Sequence, residues 1–412
     1  MATYRRCRVR RTDVLACDAN SRLIWMIEIA NVPNAGIFGA ADHIGASRAV
    51  TELRAGRPVF IKGAVTMLAM PLEGLDAARL AAFKWIGGGE PPRLAMTRRR
   101  AESLGLLVDG PVCIELSHPL DADQILALVF HDKTDPSLRA TPAAPTAAAA
   151  VELAKLAQVL PALLVAVVSP ARAAEQAGRI LSVEQAGIEL YRDSAPASLV
   201  LASDALLPLA NGIAGRMVVF RDGLGQEPAA LVVGTPDANR PVPVRIHSAC
   251  LTGDVFGSRR CDCGEQLRLA LQRLHDLGGG VVLYLAQEGR GVGLANKMRT
   301  YRLQDGGLDT VDANTTLGFD DDERDYGQAA RMMQLLGWRD VILLTNNPAK
   351  MEGLAAAGLQ VAGRLPLETA INPDNYRYMS TKAARAGHKL ENLLDGASDK
   401  NARLGQAGAS VR

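Results

Sequence analysis

Apolar positions along this chain fall into two arrangements: short continuous runs, and longer stretches in which they return every three or four residues. The first predicts buried strands and the second amphipathic helices. Helical character over Ala46–Leu53 ends at Ala55-Gly56-Arg57-Pro58, a turn that leads into the apolar run Val59–Ile61. Between about 65 and 160, Ala-rich helical segments alternate with runs such as Val112–Leu116 and Ile125–Phe130, and the Pro/Ala-rich stretch Thr141–Ala150 reads as a loop before a helix over Ala148–Ala157. A second series starts near Ala229. Pro228–Val233 and Val242–His247 read as strands around a turn at Thr235–Arg240. Leu267, Ala270, Leu271, Leu274 and Leu277 mark one face of a helix closed by Gly278-Gly279-Gly280, and Val281–Ala286 follows as a buried strand. A helix over Tyr326–Leu336 stops at Gly337. Val341–Leu344 is a further strand, and Thr345-Asn346-Asn347-Pro348 caps a helix starting near Ala349. No internal repeat is present. The pattern predicts an α/β protein of two domains, each a mixed sheet with flanking helices.

Composition narrows the class without changing that picture. The chain has 412 residues, too many for one ordinary core, of which 48% are hydrophobic and 22% charged. Aromatic residues make up 4% and the formal net charge is +2, which argues against nucleic acid as a partner. A phosphate-bearing ligand therefore needs a local cluster of cations. The longest apolar stretch, Ala147–Val168, is broken by Glu152, Lys155, Gln158 and Pro161, so no membrane span is expected. The basic opening Met1–Cys7 is not followed by an apolar segment of signal-peptide length, and a cytoplasmic location is expected.

Candidate chemistry begins with cysteine. Cys7, Cys17 and Cys113 are scattered, whereas Cys250, Cys261 and Cys263 crowd into fourteen residues. In a reducing compartment such crowding points to a metal or a reactive thiol. Cys-x-Cys brings two thiolates to one ion, and a reverse turn over Gly253–Gly257 brings the third across. Three thiolates suit Zn²⁺, and three protein ligands leave a coordination position open, as in catalytic zinc sites. Spacing alone leaves two other readings: a closed site with a remote fourth ligand, or three unrelated buried thiols. His247 lies three residues before Cys250 on an apparent strand, so alternation points it to the opposite face from the metal.

Gln287-Glu288-Gly289-Arg290-Gly291-Val292-Gly293-Leu294 follows a predicted strand and opens a helix, an arrangement in which backbone N–H groups approach an anion. Glycine spacing by itself equally describes a tight turn. Its weight comes from Arg290, Lys297, Arg299 and, after a second strand and turn, Lys350. Asp320-Asp321-Asp322-Glu323-Arg324-Asp325 is, by composition, a solvated face, although an acid beside an arginine also suits proton transfer next to a phosphate.

Together these segments closely resemble the GTP cyclohydrolase II family. The resemblance runs through Arg245–Asp254, Arg260–Gln266, Gln287–Leu294, Asn296–Asp305, Asp309–Asn314, Leu317–Asp325, Leu344–Lys350 and Asn372–Asn375, and covers about residues 228–390. It implies that Cys250, Cys261 and Cys263 hold one Zn²⁺ per subunit and that Mg²⁺ accompanies the triphosphate of GTP. It implies Asp322 as proton acceptor, Arg324 as the group attacking the α-phosphorus and Tyr301 as assistant to the second hydrolysis. Substrate contacts are implied for Arg245, Ile246, His247, Ser248, Ala249, Gln266, Glu288, Gly289, Arg290, Thr310, Thr345 and Lys350. The implied products are formate, pyrophosphate and a diaminopyrimidinone ribosylamine phosphate, in the first step of riboflavin synthesis, and the implied assembly is a homodimer. One position departs: the family commonly has Glu where this chain has Ala249.

The N-terminal part resembles 3,4-dihydroxy-2-butanone-4-phosphate synthase through Ala49–Val59, Ala101–Leu106 and Thr146–Leu163. The acidic run expected after its first strand is replaced by Lys62-Gly-Ala-Val-Thr-Met-Leu68, and the later acid falls on Val167. Without carboxylates, a Mg²⁺-dependent sugar-phosphate rearrangement lacks both ligands and base. The expected organisation is therefore a catalytically silent domain over 1–200, a linker over 201–227, a cyclohydrolase domain over 228–390 and a flexible tail over 391–412. Two alternatives remain: a paralogue that stops at the formamido intermediate, and a nucleotide-binding regulator. Tyr301 argues against the first, and Asp322 with Arg324 argues against the second.

Overall fold

The computed structural model describes residues 41–116, 120–130 and 138–386, within one compact unit, Ala40–Arg412. The residues before 41 and the expected tail lie outside the described residues; the helix read over Ala46–Leu53 is part of Ala41–Arg54.

Two seven-stranded sheets organise the chain. The first contains β1 (Val59–Lys62), β2 (Thr66–Pro71), β3 (Arg93–Met96), β4 (Val112–Glu115), β5 (Ala140–Pro142), β6 (Ala162–Val168) and β7 (Leu181–Glu184). Its order is β5-β4-β3-β6-β2-β1-β7, antiparallel except for β1 beside β7. Alternation along these strands feeds two cores. Phe60, Leu68 and Met70 face one side, while Val59, Ile61, Met67 and Ala69 face the other, under the helix Pro145–Leu156. That helix begins earlier than the sequence pattern suggests because Pro145 occupies its first turn, where a fixed φ suits the helix and no N–H is needed. The run Ile125–Phe130 lies in the helix Ala122–Phe130, its Ile125 and Val129 four apart and buried on one face.

The second sheet contains β8 (Val200–Pro208), β9 (Ala214–Arg221), β10 (Ala229–Gly234), β11 (Val242–Ser248), β12 (Gly279–Leu285), β13 (Asp340–Leu344) and β14 (Gln360–Leu365). The order β14-β13-β11-β12 is parallel, and β12-β10-β9-β8 is antiparallel. The near-continuous apolar run of β12, and the four successive buried residues Val244–His247 of β11, are those of strands covered on both faces. The stretch expected as a linker over 201–227 instead forms β8 and β9 of this sheet. In β9 the buried positions Gly215, Val218 and Phe220 give an incomplete alternation, and β8 is exposed along its whole length, so neither strand carries a strong apolar signal.

The two sheets share a core. Val292, Leu317 and Phe319 come from the second half of the chain yet pack into the first sheet's apolar cluster with Leu94, Met96 and Leu164. Burial of each such side chain contributes about 1.5–3 kcal/mol. The acidic run is likewise no simple solvated face. Asp320 and Glu323 both pair with Lys155, at 3.0 and 2.8 Å. Asp321 pairs with Arg290 and Asp322 with Arg324.

Candidate active site

Three parallel strands of the second sheet end at one place, where their connections must turn. β11 leads to Ala249-Cys250, β12 to Gln287–Arg290, and β13 to Thr345–Lys350. Carboxyl ends of parallel strands are the usual location of ligand sites in open α/β sheets. A cleft forms here, lined by residues from all three connections and by Cys261, Cys263 and Gln266 of the next segment. The helices Leu294–Asp305 and Thr310–Thr316 contribute Lys297, Thr300, Tyr301, Gln304, Thr310 and Asn314.

The three cysteines meet. Their sulfur atoms lie within 4.8 Å of one another, with Cys250 Sγ 3.6 Å from Cys261 Sγ. The connection between them is a short helix, Leu251–Asp254, followed by a turn. Gly253 makes the approach possible, because a Cβ there would come within 3.0 Å of Cys261 Sγ and 3.1 Å of Cys250 Sγ. Hydrogen bonds from Cys261 and Cys263, with Lys297 beyond them, hold Cys250 far below an ordinary thiol. Cys261 is pushed up to about 11 by the hydrogen bond it shares with Cys250. A thiolate backed by two proton-bearing thiols is a donor set suited to a soft divalent cation, which releases those protons on binding.

Lys297 anchors one side of this centre. Its ammonium donates to Cys250 Sγ at 3.0 Å, to Thr252 Oγ1 at 2.9 Å and to Glu288 Oε1 at 2.8 Å. Burial pulls its pKa down, but the bonds to Glu288 and Cys250 outweigh burial and hold the charge. Burial pushes the Tyr301 hydroxyl up to about 12, so it keeps its proton. The Arg260 guanidinium lies 4.4 Å over the Tyr301 ring. Glu288 also accepts from Leu251 N at 2.7 Å, and Ala249 is fixed through its backbone, donating to Leu285 O at 2.8 Å.

His247 lines the same cleft as Cys250, contrary to the alternation argument. The strand ends at Ser248, and Cys250 has φ −142° and ψ 83° beyond it, so the pleat does not continue that far. Nε2 of His247 meets the Asp254 carboxylate at 3.0 Å. That carboxylate also accepts from Cys250 N and from the Tyr284 hydroxyl, each at 3.0 Å. With the proton held on Nε2, Nδ1 is an acceptor. It is buried without a protein partner, as are Arg245 Nε and Ser248 Oγ. Burial lowers Arg245 to about 10, and its guanidinium is tied to Leu344 O and to Gln266.

The cationic side is formed by Arg290, Arg324 and Lys350. Lys350 donates to the carbonyl of Ile246 at 3.0 Å. Arg324 Nε donates to Asp322 Oδ1 at 2.7 Å. Burial opposes the charge on both partners, but their bond overrides it, lowering the pKa of Asp322 and raising that of Arg324. Of the candidate metal, substrate, catalytic and cationic residues singled out in the sequence, all but three line the cleft, and one of these, Arg299, pairs instead with Glu73 of the first half at 3.3 Å. Ile246 is in the core and contributes its carbonyl, and Asp322 stands behind Arg324. Lys297 is one of the nearby cations that the sequence marks. Thr300, Gln304, Asn314, Asn346, Leu367 and Tyr378 of the lining, and Asp254 behind His247, carry no site assignment in the segments read above. Lys297, Thr300, Tyr301 and Gln304 follow the i, i+3, i+4, i+7 spacing of one helix face, which was the available signal. Tyr378 comes from the distant helix Tyr376–Ala386 and has none.

Fold and site together define an α/β protein with a three-thiol centre beside a cleft lined by Arg290, Arg324 and Lys350. The GTP cyclohydrolase II family model matches residues 201–366. GTP cyclohydrolase-2 of Azospirillum brasilense is 42% identical over 367 residues, spanning 83% of this chain and 92% of its own length. That span exceeds the second sheet's half, so the likeness runs into the first. Riboflavin biosynthesis protein RibBA of Porphyromonas gingivalis is 51% identical over 179 residues, 43% of this chain and 44% of its own. A solved structure of RibBX, a two-domain 3,4-dihydroxy-2-butanone 4-phosphate synthase from A. baumannii, covers 79% of this chain and 99% of its own at a TM-score of 0.31 and 15% identity. A score that low establishes no common fold. The chain is an enzyme of the GTP cyclohydrolase II family. Among the described residues no helix is long and apolar enough to cross a membrane.

Proposed function

We propose that this enzyme hydrolyses GTP to 2,5-diamino-6-(5-phosphoribosylamino)pyrimidinone, formate and pyrophosphate, the reaction that opens riboflavin biosynthesis, and that it works as a homodimer. The observation that carries the reading is the convergence of three cysteine sulfurs, within 4.8 Å of one another, on a cleft that also holds Arg290, Arg324 and Lys350. Zn²⁺ fits this donor set, held by Cys250, Cys261 and Cys263; bound there, it supplies Lewis-acid activation for hydrolysis of the guanine ring.

The chain's own residues do the rest. Arg290, Arg324 and Lys350 bind the phosphates, which Mg²⁺ accompanies. Arg245, His247 and Ser248 turn buried, unpartnered polar atoms toward the base, and Nδ1 of His247 accepts from a ring N–H. Gln266, Thr310 and Thr345 complete the wall of the cleft, and the backbone of Ala249, Glu288 and Gly289 approaches the substrate. Tyr301 retains its proton beside the centre and donates it during the second hydrolysis. For Arg324 to attack the α-phosphorus, Asp322 must take its proton. The resting pair opposes that transfer, because each partner stabilises the other's charge. The pair therefore serves first as a cation aimed at the α-phosphate, with proton transfer following substrate binding.

The first sheet's half is proposed to be catalytically silent. The segment after β1 and the exposed Val167 of β6 offer no carboxylate where a synthase would need one. The test is to incubate the purified chain with GTP, Mg²⁺ and Zn²⁺ and to measure formate and pyrophosphate together. Equal release of both is expected, with no butanone phosphate formed from ribulose 5-phosphate. Pyrophosphate without formate would indicate a paralogue that stops early. Release of neither would indicate a nucleotide-binding regulator.

A further inference from the structure

The loops that carry Arg290 and Arg324 are held from outside their own sheet. Glu323 sits between Asp322 and Arg324, and its side chain is only 7% exposed. It turns away from the cleft toward the first half, where Lys155 Nζ lies 2.8 Å and Arg192 3.6 Å from its carboxylate. Its backbone N–H donates to Arg290 O at 3.0 Å, so the two loops are also tied to each other. Three residues beyond Lys155, Gln158 grips the second loop. Its Nε2 donates to Gly291 O at 3.2 Å, and its own carbonyl accepts from Asn296 Nδ2 at 2.9 Å.

Both contacts require glycine. A Cβ at Gly291 would meet Glu323 O at 2.8 Å, and one at Gly293 would meet Gln158 Cβ at 3.0 Å. Two of the glycines that make this segment look like a phosphate loop thus accommodate the contact with the 320–325 run and with the first half. Gln158 is itself held at φ +56°, a conformation that costs a non-glycine residue free energy and persists only where the surroundings impose it.

We propose that Lys155 and Gln158 of the first half are positioning residues for the cleft of the second, setting the loops that carry Arg290 and Arg324. On this view the first half is part of the working site without touching substrate. The proposal rests on the functional reading for its kinetic consequences, but its structural consequence can be measured without substrate.

Gln158→Gly separates positioning from stability. Glycine adopts φ +56° without strain, which offsets the entropy it adds to the unfolded chain, so the variant keeps near-parental thermal stability while losing the bond to Gly291. Lys155→Met removes the charge that faces Glu323, and Lys155→Arg restores it. The expected result is a KM for GTP raised roughly tenfold in Gln158→Gly and further in Lys155→Met, with recovery in Lys155→Arg. Hydrogen–deuterium exchange should quicken in 288–293 and 320–325 and stay unchanged around Cys250 and Cys261. Unchanged exchange in both loops, in both variants, would overturn the proposal. Failure of the unaltered chain to turn over GTP would instead count against the functional reading, and the exchange measurement would still decide this one.

Discussion

The two halves of the chain each form a seven-stranded sheet with helices, yet among the described residues the second is the one that gathers polar side chains at its strand ends. In the first sheet six of the seven described strands run in antiparallel succession, and β1 lies parallel beside β7. In the second, four adjacent strands are parallel, and three of them send their connections into one cleft. Antiparallel neighbours joined by short turns scatter their ends to both edges of a sheet, whereas parallel neighbours bring theirs to the same edge. The first half keeps layers and a core but, among its described residues, shows no comparable convergence of strand ends. What it retains is contact: it packs around Val292, Leu317 and Phe319, and it grips two loops of the cleft through Lys155 and Gln158.

The largest effect should come from the thiol centre. Cys261→Ser is expected to lower formate release from GTP by at least about 10³-fold, the scale on which members of a catalytic unit act. Zinc content, measured after exchange against a chelator, should fall in parallel. Formate release near that of the unaltered chain would break the comparison at its root, because chemistry would then have to reside away from the converging strand ends.

A second prediction concerns how separate the halves are. Phe319 is 1% exposed and belongs by sequence to the second half, but it packs in the first sheet's core. Phe319→Ala should cost about 3–5 kcal/mol in denaturant unfolding, and both halves should unfold in one transition at the lower midpoint. If one half keeps its original midpoint while the other shifts, the shared core is not a cooperative unit.

Much of the second half was legible because its signals are local. The apolar run of β12, the helix after Cys263 and the glycine stop at Gly278 each depend on neighbours within a few residues. The cysteine trio and the cations of the cleft stood out for the same reason. What stayed hidden depends on distant partners. β8 is exposed on both faces and carries no strand alternation; only pairing with β9 makes it a strand. The 320–325 run has the composition of a solvated face, and nothing near it in sequence announces that Lys155 lies opposite. Tyr378 enters the cleft from a helix more than a hundred residues beyond Cys263. Alternation puts His247 on the wrong face because the end of a strand, where the pleat lapses, cannot be read from residue types alone.

The smallest expected effect tests the electrostatics that distinguish the second half's site. His247 is 2% exposed. Burial lowers its pKa, with Arg245 and Lys350 acting in the same direction and the Asp254 carboxylate opposing them. The folded protein therefore holds the ring neutral under conditions in which the unfolded chain, with an ordinary value of about 6.5, begins to take up a proton. The sign follows. This contribution to stability is fully present above about pH 6.5 and declines as pH falls from there toward the lowered folded value, where the folded state also protonates. Each unit of separation is worth about 1.4 kcal/mol. His247→Gln removes the titration, so its stability should vary less between about pH 5 and 6.5 than that of the unaltered chain, while the two curves run parallel above pH 7. Urea unfolding at several pH values checks this. A histidine variant as steep as the parent would mean that the ring is not held neutral, and that Nδ1 is not the acceptor this site requires.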